Sequence, residues 1–282
     1  MTGTAKTIFI TGASSGFGRA LALHALERGY NVAASARRPD ALKDIVEQAP
    51  DRVIPLKLDV TSKAEIKQAV RAALARFGSI DMLVNNAGYG LMGALEELSD
   101  ADIRRQIDTN LMGVIDVTRA VLPTMREARA GHIVNISSIA GLVGLPGVSL
   151  YNATKFAVAG LSEALAKETQ HLGIRVTAVE PGAFRTDFNG RSLAAPPDQI
   201  ADYAPSAGER VRWLREVDGE QPGDPAKAAA AILDLAERDD PPVHLVLGED
   251  ALDMVREKNA HFMEEIARNA DVSAAMKLED AA

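Results

Sequence analysis

Short, almost wholly apolar runs alternate along this chain with longer stretches whose apolar positions recur every three to four residues. The short runs predict strands at Thr7–Ile10, Asn31–Ser35, Val53–Leu58, Met82–Asn85, His132–Ile136, Arg175–Glu180 and His244–Leu247. The longer stretches predict helices over Arg19–Arg28, Lys63–Arg76, Ala101–Met125, Lys155–Leu172 and Ala226–Glu237. Because the short runs are continuous rather than alternating, their strands are expected to be covered on both faces, as in a parallel sheet. Strand–helix alternation then implies right-handed βαβ units. The expected fold class is α/β: a doubly wound, Rossmann-type domain with a parallel seven-stranded sheet and helices on both faces.

This regularity fails between Asp187 and Pro225, where Pro, Gly, charges and the only Trp are mixed. A stretch that long is usually functional or disordered. Its apolar residues Leu193, Ile200, Tyr203, Trp213 and Leu214 favour a packed substrate lid over residues 187–222. Farther on, Leu252–Ala270 has the pattern of one more amphipathic helix, and the chain end is expected to fray. The expected organisation is a catalytic domain over residues 1–250 and a helical extension with a frayed tail over 251–282.

Composition narrows the chemistry. Apolar residues at 47% and charged residues at 25% of 282 describe an ordinary globular chain. A net charge of -8 and a pI near 5.2 argue against nucleic acid and against a basic membrane-binding face. The absence of cysteine excludes disulfides, Cys-ligated zinc and thiol catalysis. The five histidines are scattered, with no pair at i, i+4, and no metal site is expected. The N-terminal apolar run breaks too early for a signal peptide or a span, so the chain reads as cytoplasmic.

Two local patterns carry chemistry. Thr11-Gly12-Ala13-Ser14-Ser15-Gly16-Phe17-Gly18 lies between the first strand and the first helix. Glycines there permit a tight turn and close backbone approach to a pyrophosphate, while the helix N-terminus offers free N–H groups. The end of the second strand, Ser35-Ala36-Arg37-Arg38-Pro39, holds two guanidiniums where an acidic residue would select NAD. Arg suits a 2′-phosphate, so NADP(H) is expected with Arg37 as its ligand; the alternative is a solvated basic pair. The second pattern is Tyr151-x-x-x-Lys155, with Ser138 upstream at the end of an apolar run. A helix puts Tyr151 and Lys155 on one face, where the ammonium is expected to lower the phenol from about 10 towards neutrality. Alone, that pattern is short enough to arise by chance from a surface Tyr and a solvated Lys.

Taken in order, TGASSGFG at 11–18, Asp59, NNAG at 85–88, Asn110, Ser138, Tyr151-x-x-x-Lys155 and Pro181-Gly182 with Thr186 resemble the short-chain dehydrogenase/reductase family. The likeness spans roughly residues 6–250 and lies in the short branch of that family. It implies Tyr151 as general acid and base, Lys155 tuning it and holding the nicotinamide ribose, and Ser138 bonding the substrate oxygen. It further implies Asn110 holding a relay water, Asp59 and Val60 flanking the adenine, and Asn86, Ala87 and Gly88 bordering the cofactor. Pro181, Gly182 and Thr186 would contact the nicotinamide side. Ser137, the neighbour of Ser138, is expected to be structural.

The substrate pocket is expected to include Leu91, Met92, Ser138, Leu142, Val143, Leu145 and Phe184, with no buried Arg or Lys awaiting an acid. That lining suits a lipophilic ketone, aldehyde or alcohol. SARRP, PGAFRTDF and the long C-terminal segment resemble the 17β-hydroxysteroid dehydrogenase-like and retinol dehydrogenase-like members. The competing readings are a 3-oxoacyl-carrier-protein reductase and a catalytically silent NADP-binding sensor or scaffold. Val114, Val117, Val121 and Met125, at helical spacing, suit either sheet packing or the homodimer or homotetramer that the resemblance implies.

Overall fold

The computed structural model describes residues 5–188, 190, 192–196 and 199–277. Its strands are β1 (Thr7–Ile10), β2 (Asn31–Ala36), β3 (Val53–Lys57), β4 (Met82–Asn85), β5 (Gly90–Leu91), β6 (Gly131–Ile136), β7 (Ile174–Pro181), β8 (Leu193–Ala194) and β9 (His244–Leu247). Its helices are α1 (Gly16–Glu27), α2 (Lys43–Gln48), α3 (Lys63–Phe77), α4 (Asp100–Ile107), α5 (Gly113–Ala128), α6 (Ser149–Thr169), α7 (Glu209–Glu216), α8 (Pro225–Asp234), α9 (Glu249–Arg268) and α10 (Ala270–Ala274).

Seven strands form one parallel sheet in the order β3-β2-β1-β4-β6-β7-β9. Successive strand side chains point to opposite faces, so a continuous apolar run feeds two cores at once. Ile8 and Ile10 of β1 pack with Leu21 and Leu26 of α1, Ile45 of α2 and Ile232 of α8. Phe9, between them in sequence, packs on the other face with Ile66 of α3, Val117 of α5 and Leu165 of α6. The chain runs outward from β1 to β3, then returns to place β4 on the other side of β1. This reversal opens a crevice at the carboxyl ends of β1 and β4, where α/β sheets bind ligands.

Local details depart from the sequence expectation. The single helix expected over Ala101–Met125 is divided into α4 and α5 by a π-helical turn at Asp108–Met112. Helix α6 starts at Ser149 rather than Lys155, because Tyr151 and Lys155 both belong to its buried face. Val117, Val121 and Met125 are consumed by the chain's own second core, while Phe156 of α6 stays exposed. At the end expected to fray, α10 adds a short helix over Ala270–Ala274; residues 278–282 of the expected tail lie outside the described residues.

Phe9 is fully buried at the centre of the sheet. Phe9→Ala is expected to lower stability by about 3–5 kcal/mol through lost transfer energy and a residual cavity. Denaturant unfolding, read as a shifted midpoint at constant slope, measures this.

Candidate active site

The turn after β1 is shaped for close backbone approach. Gly12 and Gly16 adopt left-handed φ values of 69° and 52°, which side chains disfavour. A Cβ on Gly18 would run into the Gly12 carbonyl and the Asn86 amide. Asn86 Nδ2 donates to the carbonyls of Thr11 at 2.9 Å and Gly12 at 3.0 Å. Thr11 Oγ1 accepts the backbone N–H groups of Asn86 at 2.9 Å and Ala87 at 3.0 Å, binding β1's end to β4's. Ser15 starts α1 without a side-chain cap, and the first turn carries no acidic residue. The helix's free N–H groups and positive end therefore remain available to an anion. This cradle fits a dinucleotide pyrophosphate.

The cradle opens on a cavity of about 1000 Å³. Its walls include Gly12, Ser14, Ser15, Gly16 and Phe17 of the turn, Arg37, Asp59 and Val60, Asn86, Ala87 and Gly88, and Pro181, Gly182 and Thr186. Gly18 lies beneath the turn rather than in the wall. Arg37 is exposed at the rim. Asp59 accepts the backbone N–H of Thr61 at 3.0 Å and its hydroxyl at 2.8 Å. The backbone bond leads in holding this carboxyl below its usual range, with smaller help from the Arg37 charge.

Ser138, Tyr151 and Lys155 share the same cavity. Ser138 caps a short 3₁₀ turn, its Oγ accepting the Ala140 N–H at 3.1 Å. Tyr151 and Lys155 occupy the first turns of α6, both buried. Lys155 Nζ donates to the Ile136 carbonyl at 2.7 Å and lies 5.6 Å from the Tyr151 ring centroid. Ser137 Oγ donates to the Lys155 carbonyl at 3.0 Å, a structural bond.

The electrostatics differ from the sequence expectation. Burial pushes the Tyr151 phenol up to about 12, opposed by its hydrogen bond with Ser138. Burial also pushes the Lys155 ammonium down to about 8. Lys155 therefore does not bring Tyr151 towards neutrality in the chain by itself, because desolvation dominates both groups.

Asn110 is buried within the π-helical turn. Its Nδ2 donates to the Tyr89 carbonyl at 2.8 Å, and its Oδ1 accepts the Tyr89 N–H at 3.1 Å. Its side chain lies behind the cavity wall, against Gly88.

Residues 6–196 match the family described as short chain dehydrogenase. The chain belongs to the short-chain dehydrogenase family. Its relatives include oxidoreductase BOA17 of Botryotinia fuckeliana, 40% identical over 88% of this chain and 90% of that protein. A 3-ketodihydrosphingosine reductase of Bacteroides thetaiotaomicron is 40% identical over 86% of this chain and 88% of that protein. Among solved structures, a short-chain dehydrogenase from Streptomyces avermitilis matches with a TM-score of 0.92 and 42% identity, covering 97% of this chain and all of that one. A Burkholderia phymatum relative in complex with NAD has a TM-score of 0.81 and 28% identity, covering 93% and 95% of the two chains. ElxO with NADP bound has a TM-score of 0.73 and 30% identity, covering 88% and 99%. The family thus spans both nicotinamide cofactors.

Of the residues expected to meet a substrate, the structure brings Met92, Leu145 and Phe184 to the cavity, together with Val148, Phe188 and Leu214. Leu91, Leu142 and Val143 are not in its wall. Leu91 and Met92 are adjacent on an extended segment, so they point apart; Leu91 packs instead with Leu98 and Leu150. Leu142 and Val143 sit half-buried in a loop pinned by Asn152, whose Nδ2 donates to the carbonyls of Ala140 at 2.6 Å and Val143 at 2.7 Å. Sequence reasoning missed Asn152, although it stands between Tyr151 and Lys155, and missed Thr11 beside the glycines. It also missed Arg210, a half-buried cation in the cavity wall. Residues 193–194 pair with 90–91, and Val211 and Leu214 pack in one cluster with Met92 and Tyr151, so part of the 187–222 segment lies against the site.

The depressed Lys155 value fixes a sign. Below about 8 the lysine is charged both folded and unfolded, and the fold carries the full desolvation penalty. Between about 8 and its model-peptide value of 10.5 the folded lysine releases its proton first, so stability rises with pH. Lys155→Met is therefore expected to be more stable than the parent at pH near 7 and to lose that advantage as pH climbs through this window. Thermal unfolding of both chains over a pH series measures the difference; a constant gap would remove the desolvated charge as its cause.

Proposed function

We propose that this chain is an NADP(H)-dependent oxidoreductase that interconverts lipophilic ketones or aldehydes with their alcohols. The observation that carries the reading is the meeting of Ser138, Tyr151 and Lys155 with the glycine cradle in one cavity whose remaining wall is largely apolar. The Bacteroides relative named as a reductase of 3-ketodihydrosphingosine, a lipid ketone, is consistent with that class. Arg37 at the rim supports NADPH over NADH, since its guanidinium suits a 2′-phosphate.

The nicotinamide, when bound, supplies the hydride; the protein supplies orientation and a proton. Gly12, Ser14, Ser15, Gly16, Phe17 and the start of α1 hold the pyrophosphate, Arg37 the 2′-phosphate, and Asp59 and Val60 the adenine. Asn86, Ala87, Gly88, Pro181, Gly182 and Thr186 line the rest of the cofactor's path, with Gly18 packing under the turn. Ser138 and Tyr151 donate to the carbonyl oxygen, where negative charge develops during reduction. Tyr151 gives up its proton to that oxygen. Lys155 favours the resulting phenolate and passes a proton back to it, and is itself reprotonated from solvent through a water held at Asn110, whose side chain is also engaged with Tyr89. Met92, Leu145 and Phe184 enclose the substrate, and the segment 187–222 closes over it. Catalysis in the cytoplasm is the setting this reading assumes.

Tyr151→Phe keeps the ring and removes only the hydroxyl. It is expected to lower turnover by about 10²–10⁴-fold while leaving NADPH affinity within twofold or so. The raised phenol adds a direction: reduction uses the protonated form and stays level through neutral pH, whereas oxidation uses the phenolate and climbs with alkaline pH. Steady-state rates in both directions over a pH series check this; an oxidation rate that falls with pH would remove Tyr151 as base.

Arg37→Ala is expected to raise the Kd for NADPH by about tenfold or more and to leave NADH nearly unchanged. Fluorescence titration with each cofactor reads this directly, and equal losses would sink the 2′-phosphate assignment.

A further inference from the structure

Arg210 lies on α7 and lines the same cavity as Ser138 and Tyr151. Its Nε is sealed from solvent and has no hydrogen-bond partner. Among the described residues no carboxylate forms an ion pair with it. Burial pushes its guanidinium down, with no offset from an acidic neighbour among the described residues. By contrast Arg185, also of an adjoining segment, donates Nε to the Gln221 carbonyl at 3.3 Å. The acidic wall residue Asp250 accepts the Ala183 N–H at 2.8 Å.

The guanidinium carbon stands 4.5 Å from the centroid of the Trp213 ring. That contact holds the cation beside an aromatic ring, which offers no lone-pair acceptor to its five N–H donors. The sealed Nε is itself out of a ligand's reach, but the cation lines the cavity without an acceptor among the described residues, a costly state that an acceptor at its outer N–H groups would relieve. Val148 and Leu214 line the cavity and pack in one apolar cluster with Tyr151 and with Val211, the residue after Arg210. A ligand matching both features has an apolar stem and an oxyanion head.

We propose that Arg210 is a specificity residue that binds an anionic head group, a carboxylate or phosphate ester, on a substrate whose carbonyl meets Ser138 and Tyr151. This rests on the oxidoreductase reading above. It deepens that reading by making the substrate amphipathic rather than simply lipophilic. A ligand with a cationic head would be repelled at the same point.

The test compares a medium-chain oxo-acid, its methyl ester and a phosphate-ended ketone of equal length, at saturating NADPH. The wild-type chain is expected to show a KM for one or both anionic ketones about tenfold or more below that of the ester. Arg210→Met should erase this preference while leaving kcat and KM for the ester, and NADPH affinity, within about twofold. Arg210→Lys should keep part of it, because the charge stays but the planar fork is lost. The better of the two anionic substrates identifies the head group. Equal KM values for anionic and ester substrates in the wild-type chain would overturn the proposal. So would an Arg210→Met variant that loses ester turnover or NADPH binding equally.

Calorimetric titration of octanoate into the same three chains separates this failure from that of the oxidoreductase reading. If no ketone is reduced but octanoate binding is weakened about tenfold by Arg210→Met, the anion site stands and the oxidoreductase reading falls. Octanoate binding that ignores the substitution overturns the anion site itself.

Discussion

A desolvated ammonium at the floor of the cavity sets the terms for the rest of the site. Lys155 is buried with no carboxylate beside it among the described residues, and its Nζ rests on the Ile136 carbonyl at 2.7 Å. A buried charge in that position is tolerated only where its donors are met and its geometry is fixed. The fold meets one of the three ammonium donors and fixes the geometry with a pair of bonds between the end of β6 and α6. Lys155 reaches the carbonyl at the end of β6, and Ser137, just after β6, reaches the Lys155 carbonyl at 3.0 Å. These two bonds fix how the segment carrying Ser138 faces the helix carrying Tyr151. A carboxylate beside Lys155 would have relieved the burial, but it would also have held the lysine charged and removed its capacity to exchange a proton near pH 8.

The neighbouring framework serves the same registration. Asn85 Nδ2 bonds Asn135 Oδ1 at 2.8 Å, and Asn135 Nδ2 bonds Ser162 Oγ at 2.9 Å, linking β4, β6 and α6 inside the core. Asn152 then ties α6 to the loop after Ser138. On the cofactor side, Thr11 and Asn86 join the ends of β1 and β4 across the point where strand order reverses. Parallel topology brings every strand's carboxyl end to one edge, and these polar links turn that edge into a fixed surface rather than a set of loose turns.

Much of this was legible because parallel strands leave a strong trace. The seven apolar runs coincide with the seven strands of the main sheet, and their continuity reflects burial on both faces. The meeting of the glycine turn, Ser138, Tyr151 and Lys155 in one cavity was likewise legible, since their placement is tied to short fixed spacings. What escaped depends on facts that spacing does not encode. The π-helical turn at Asp108–Met112 inserts a register change without interrupting the apolar period. Leu91 and Met92 look interchangeable in sequence, yet an extended backbone sends one to the core and the other to the cavity. The Tyr151 phenol moves up rather than down because the extent of desolvation is a property of the packed site, not of a Tyr and a Lys one turn apart.

Arg210 escaped for the same reason, and its contrast with Lys155 is informative. In sequence it is one of several arginines in a charged helix, and only packing shows that its Nε is cut off from water. Lys155 and Arg210 thus line one cavity under different rules. Lys155 is a point charge that burial moves into the range where it exchanges protons. A guanidinium keeps its proton across that range, so Arg210 attracts an acceptor at every working pH without competing in the proton path. The separation has a chemical consequence. An anion drawn to Lys155 would lock the ammonium in its charged form, whereas one held at Arg210 leaves Lys155 free to titrate. A cavity that both recognises an acidic head and moves a proton, as proposed above, is best served by two different cations, here Lys155 on α6 and Arg210 on α7.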